Sequence, residues 1–143
     1  MGIEENKAVM RQWFQYWNEN DAEALCRLYD DDEFVWAIRG YSPVSRAYGK
    51  EEARRMLTST FEVPMQQKIH ADVLHMTAED DRVAIEFVNH GVFADGRPFE
   101  NQYHMLAFLR DGKIIRGHAY LDTWTAVNST LQKTMDEQEA AKS

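Results

Sequence analysis

Glu86, His90, Asn101 and Tyr103, in the second half of the chain, carry side chains that could move a proton or polarise a carbonyl. On one strand, Glu86 and His90 share a face and stand about 13 Å apart, four residues at the usual strand rise. That spacing prevents contact but lets them address opposite ends of one small ligand. A carboxylate in an apolar setting has its charged form disfavoured, which suits general acid–base work near neutral pH. An imidazole starts near that range. Asn101 could orient a histidine ring or bond a ligand carbonyl, and Tyr103 offers a phenol to an enolate or alkoxide. The set points to proton transfer next to a carbonyl, or to loss or gain of water. The competing reading is structural: Glu86 as a buried carboxylate bonded to a helix residue such as Tyr16, and His90 solvated near a strand end. Structural pairs of that kind perturb pKa values too.

These residues need a scaffold. Residues 5–18 read as a helix, with Val9, Met10, Trp13, Phe14, Tyr16 and Trp17 on one broad side of the wheel. Asn20-Asp21 can cap a second helix, Ala22 to Tyr29. Residues 34–38 read as a short strand, and a loop broken by Pro43 follows. A third helix carries Ala53, Met56, Leu57 and Phe61 on its apolar side and stops at Pro64. From there the pattern changes to strands: 67–76, 82–93, 98–109 and 113–124. The last three are joined by tight turns at Asp95-Gly96 and Asp111-Gly112. Helices first and a long meander after them make an α+β layout. A cone domain is expected over residues 1–125 and a polar C-terminal tail over 126–143.

Composition excludes several classes. With 143 residues the chain points to one domain, and 44% hydrophobic and 12% aromatic residues can fill its core. A formal charge of −8 removes the electrostatic footprint of a nucleic-acid binder and disfavours anionic membranes. Cys26 cannot form an intrachain disulfide, because it is the one cysteine. A core role on its helix is preferred over a nucleophilic one. His70, His75, His104 and His118 show no metal-ligand spacing on a helix or tight loop, so neither metal nor other cofactor is expected. The N-terminus lacks a secretory pattern, and no apolar run is long enough to span a membrane. A cytoplasmic location is expected.

The stretches YGKEEARRML, DGRPFENQYHMLAF and LRDGKIIRGHAYLDT carry a family likeness. Through them the chain resembles the SnoaL-like branch of the nuclear-transport-factor-two-like superfamily, the cone fold also used by ketosteroid isomerase and limonene-epoxide hydrolase. The resemblance implies a curved, cystatin-like, mostly antiparallel sheet wrapped around the N-terminal helices. It says little about the reaction, because this fold hosts many. The family's familiar catalytic positions are mostly not matched. Ala37 stands where ketosteroid isomerases place their base. Met105 or His104 stands at their oxyanion-hole acid, and Trp13 at their helix tyrosine. Glu86, Val88 and Ala119 stand at the epoxide-hydrolase positions. Steroid isomerase and epoxide hydrolase activity are therefore not expected.

Side-chain parity assigns the faces. With Asp95-Gly96 as a two-residue turn, His90 lies opposite Asn101 and Glu86 opposite Met105. With Arg110-Asp111-Gly112 as a three-residue turn, Ala119 lies opposite Tyr103; with a two-residue turn there, Asp122 would move to the side of Asn101 and Tyr103. One face then carries Glu86, Val88, His90, Asn101, Tyr103, Met105, Ala107, Gly117, Ala119 and Leu121, and the resemblance places it inside the cone. The expected catalytic residues are Glu86, His90 and Tyr103. Trp13, Trp17, Trp36, Asn101 and Met105 are the expected ligand wall. The other face carries Val83, Ile85, Phe87, His104, Leu106, Phe108, Ile114, His118, Tyr120 and Asp122. Periodicity alone would instead bury Val83, Ile85 and Phe87. The resemblance implies pairing through that outer face, hence a homodimer. The function expected from all this is a cofactor-independent lyase or isomerase acting on a small apolar molecule. The alternative is a non-catalytic module that binds one.

Overall fold

The computed structural model describes the backbone of residues 2–128 and 130–142, and their side chains except at residues 130–132, 134, 135 and 138. Helix α1 (Ile3–Asn18) opens with Glu4 and Glu5 in its first turn, where carboxylates favour the positive end of the helix dipole. It buries Met10, Trp13 and Phe14. Asn20, at φ +57°, closes it, and Asp21 caps α2 (Ala22–Arg27) by accepting the Ala24 N–H at 3.0 Å. Strands β1 (Val35–Ile38) and β2 (Ala47–Gly49) follow, then α3 (Lys50–Glu62), which ends just before Pro64. The long strands are β3 (Met65–Glu79), β4 (Arg82–Phe93), β5 (Pro98–Arg110) and β6 (Lys113–Leu121). Two helices close the chain, α4 (Thr123–Asn128) and α5 (Thr130–Lys142). The segment expected as a polar tail thus contains the end of α4 and α5, where Glu139 accepts a hydrogen bond from the buried Ser59 of α3.

The architecture is α+β. Six strands form one open mixed sheet in the order β2-β1-β6-β5-β4-β3, with β1 parallel to β6 and the other neighbours antiparallel. Register shifts along β3 and in the β5–β6 pair mark bulges, which bend strands and let the sheet curve over the helices. Helix α1 packs on the concave side. Asn18 fixes its end to β3 as a strand neighbour would: its amide donates to the Ala71 carbonyl at 3.1 Å and accepts the Ala71 N–H at 2.7 Å. Among the described residues no helix is long and apolar enough to cross a membrane.

Two turns decide which side chains look at α1, and both differ from the sequence reading. The β4–β5 loop holds three residues, not two: the Phe93 N–H donates to the Arg97 carbonyl at 2.9 Å, with Ala94, Asp95 and Gly96 between. Gly96 takes the left-handed position at φ +89°. The extra residue shifts the pairing by one, so Asn89 lies opposite Asn101 and Phe87 opposite Tyr103. Val83, Ile85, Phe87 and Asn89 therefore face inward and are buried. Glu86 and His90 face outward, which corrects their expected place inside the cone.

The β5–β6 turn holds two residues, Asp111 at φ +52° and Gly112 at φ +78°. Alone, that turn would bring Asp122 inward. A bulge at Ile115 prevents it: Leu109 pairs with Ile114 and Phe108 with Arg116, which leaves Ile115 unopposed. Parity changes there, so Ile114 is buried while Gly117, Ala119 and Leu121 keep the cavity side. Asp122 stays outside and caps α4, accepting the Thr125 N–H at 3.2 Å and the Thr125 hydroxyl at 2.8 Å. These bonds hold its carboxyl below the usual carboxylate range.

The Gly96 conformation should be measurable. A side chain at a left-handed position costs about 1–2 kcal/mol. Gly96→Val is expected to lower the urea unfolding free energy by roughly that amount, with the m-value unchanged. An unaltered midpoint would show that the loop does not hold this turn.

Candidate functional site

The concave side of the sheet and helices α1 and α3 enclose a cavity of about 130 Å³. One wall is a stack of three indoles. Trp13 lies parallel to Trp36 at 5.8 Å between ring centroids and to Trp17 at 5.3 Å. Helical spacing puts Trp13 and Trp17 one turn apart on α1, and β1 brings Trp36 alongside. Gly117 makes room for the third ring, because a Cβ there would collide with the indole of Trp36. Phe87, Phe99, Ile69, Met56 and Leu57 contribute much of the remaining apolar lining.

The polar part of the wall is small and ordered. Asn89 and Asn101 pair across β4 and β5 on the inner face, and both are buried. The Trp17 indole N–H donates to Asn89 Oδ1 at 3.0 Å. The phenol of Tyr103 lies close to Asn89 on the same wall. Asn101 donates to the Asp122 carbonyl at 3.3 Å, but its own Oδ1 has no hydrogen-bond partner among the described residues. At the other end, the Trp13 N–H donates to the Tyr29 hydroxyl at 3.1 Å.

The electrostatics follow from burial. Desolvation pushes the phenol of Tyr103 up to about 12, against a smaller opposing effect of the nearby Asn89 amide. Burial likewise raises Tyr29 well above its ordinary value. Both hydroxyls are protonated at neutral pH, so each has a proton to donate. The thiol of Cys26 lies outside this lining, buried in α2, and burial raises its pKa.

The structure brings Trp13, Trp17, Trp36, Asn101 and Tyr103 to the cavity. Met105 is on the inner face but fully buried in the core beside it, a correction to its expected place in the wall. Glu86 is on the convex face, about half exposed and 4.0 Å from His75. His90 is on the same convex face, bonded to Asp72 at 2.7 Å. Neither reaches the cavity from there. The residue that sequence reasoning missed is Asn89. The signal for it was present: Val83, Ile85 and Phe87 form an alternating apolar run, and Asn89 is its next member.

Comparison with known proteins bears on this arrangement. A family model described as a SnoaL-like domain matches residues 10–117. No curated protein matches the sequence. Among solved structures, PrhC from Penicillium brasilianum NBRC 6234 superposes with a TM-score of 0.76 at 16% identity, covering 97% of this chain and 93% of its own. An LEH-like epoxide hydrolase from M. tuberculosis gives 0.71 at 14% identity, with 97% and 95% covered. A protein of Catenulispora acidiphila DSM 44928 with a ketosteroid isomerase-like fold, in complex with trimethylamine, gives 0.65 at 19% identity, with 78% and 83% covered. At these identities the likeness is one of fold.

Two measurements follow from the cavity wall. Gly117→Ala is expected to displace Trp36 from the indole stack, shifting the intrinsic tryptophan emission while the far-ultraviolet circular dichroism is kept. An unshifted spectrum would contradict the close approach. Tyr103 titrates near 12 when folded against an ordinary 10, so its contribution to stability is complete below about pH 10 and is lost between about pH 10 and 12. Tyr103→Phe is expected to lose less stability than the parent over that window. Parallel pH profiles would show that the phenol is not buried.

Proposed function

Because the chain belongs to the SnoaL-like domain family, we propose that its cavity binds a small, mostly apolar molecule with one hydrogen-bonding head. The observation that carries this reading is the Oδ1 of Asn101, a buried acceptor in the cavity wall with no partner among the described residues. Leaving such a group unpaired costs about 1–3 kcal/mol, which a ligand O–H or N–H would recover. Tyr103, two residues along the same strand face, supplies a donor. A head that both donates and accepts fits this pair, as in a hydroxy ketone or an enol.

Volume sets the size of the rest. At about 130 Å³ the cavity is close to the roughly 150 Å³ of an engineered apolar cavity that holds benzene. One ring or a short branched chain fits, and a four-ring steroid would need the wall to open. Solved neighbours that include an epoxide hydrolase and a trimethylamine complex support small-molecule chemistry by analogy of fold.

A cofactor-independent lyase or isomerase is the second reading, and Tyr103 favours it. A protonated phenol in a dry site can stabilise an enolate or alkoxide as it forms. Among the described residues, however, the lining holds neither carboxylate nor imidazole. The base would be a water molecule or a group of the substrate, so binding is the leading reading. Part of the same proposal is a cytoplasmic homodimer paired through the outer sheet face. Leu106 and Phe108 are half-buried there, and Leu74 and Tyr120 are exposed.

Single-ring ketones and hydroxy ketones, titrated against tryptophan fluorescence, test the binding reading. Saturable quenching is expected, about tenfold weaker for Asn101→Leu and unchanged for Glu86→Gln and His90→Asn. Equal affinity of the parent and Asn101→Leu would refute it. If one of these compounds is turned over, Tyr103→Phe is expected to slow the reaction on the order of 100-fold. Sedimentation at micromolar concentration should show a dimer, and a monomer would remove the outer-face pairing.

A further inference from the structure

We propose that the convex face of the sheet carries a divalent transition-metal site made by His70, Asp72 and His90. It lies on the opposite side of the sheet from the cavity and does not rest on the binding reading. His70 and His90 are direct partners across β3 and β4, and Asp72 is two residues from His70 on the same face. One donor atom from each lies within 4.8 Å of the other two. The carboxylate is already shared between the imidazoles. Asp72 Oδ2 is 2.7 Å from His90 Nε2, and Asp72 Oδ1 is 3.4 Å from His70 Nε2.

The geometry fits an ion. At metal–ligand bonds of about 2.0–2.2 Å, tetrahedral ligand atoms stand about 3.3 Å apart. The three donors need to close by less than about 1.5 Å, within reach of a rotamer adjustment for side chains that are about half exposed. Two imidazoles and one carboxylate suit Zn²⁺, Ni²⁺ or Cu²⁺ and not Mg²⁺ or Ca²⁺, which prefer oxygen ligands. Nearby charge is compatible. Glu100 stands across from His90 on β5. Lys68 turns its ammonium away, to the carbonyls of Phe61 and Val63 at 3.1 and 3.4 Å.

Sequence spacing hides this set, because its members meet across a strand pair rather than along a helix or loop. The expectation of no metal rested on spacing along helices and tight loops alone. The site also has a structural consequence. β3 is an edge strand, and its register shifts between Gln67 and His70. An ion bound across His70 and His90 would clip the edge strand to β4 beside that shift.

The test uses the full chain without an affinity tag, stripped with chelator and dialysed. Co²⁺ is titrated by visible absorbance and then displaced with Zn²⁺. One ion per chain is expected, with His70→Ala and His90→Ala each weakening binding roughly tenfold or more. His75→Ala and His104→Ala, on the same face, should leave it unchanged. Zn²⁺ should also raise the thermal midpoint of the parent, because an ion that binds only the folded state stabilises it, and this rise should vanish in His90→Ala. Binding that persists in the His70 and His90 variants, follows His75, or is absent from the parent would overturn the site.

Discussion

The backbone turn at Gly96 governs the inside of this molecule. With its φ at +89° the β4–β5 loop closes over three residues, and one residue of loop length decides which half of β4 meets helix α1. A strand has two faces and no intermediate setting, so the choice is all or none. With this loop the buried half is Val83, Ile85, Phe87 and Asn89. With a loop one residue shorter it would be Glu86, Val88 and His90, and the cavity would hold two ionisable groups. The bulge at Ile115 does the same for β6. It offsets a two-residue turn and keeps Gly117 and Ala119 on the cavity side, leaving Asp122 free to cap α4.

Once parity is set, the cavity follows from packing. Small residues on β6 leave room beneath the indoles, and Gly117 in particular lets Trp36 lie flat beside Trp13. Aromatic faces stacked this way bury a large apolar area and form a stiff wall. Polar groups gather at one end of the wall, where the Trp17 indole is held by Asn89 and Asn101 is left with a spare acceptor. Such a wall is mostly apolar and uncharged, with phenols as its titratable groups among the described residues. It suits recognition of an uncharged head group better than catalysis that needs a resident base.

Much of the scaffold is legible in the sequence because it depends on local signals. Aromatic residues at helical spacing mark α1, Asp21 marks the start of α2, Pro64 marks the end of α3, and the two Asp-Gly pairs mark the hairpins. Trp13, Trp17 and Tyr103 can be placed near a cavity from such signals together with the family likeness. Loop length is different. Asp-Gly serves both two-residue and three-residue hairpins, and the bulge at Ile115 has no residue signature, so parity is not encoded where it is read. The alternating apolar run from Val83 to Phe87 was the better guide, because burial of three large side chains outweighs a turn preference. The His70–His90 meeting is invisible for a related reason: it exists only once β3 and β4 are in register.

The central claim is that ligand recognition occurs among Asn101, Tyr103 and the indole stack, on the concave side of the sheet. A crystal structure of the chain soaked with a single-ring hydroxy ketone tests it most directly. The account predicts density beside Trp36 and Trp13, with the ligand hydroxyl within hydrogen-bond distance of Asn101 Oδ1. Density on the convex face beside Glu86, with the concave cavity unchanged, would contradict it.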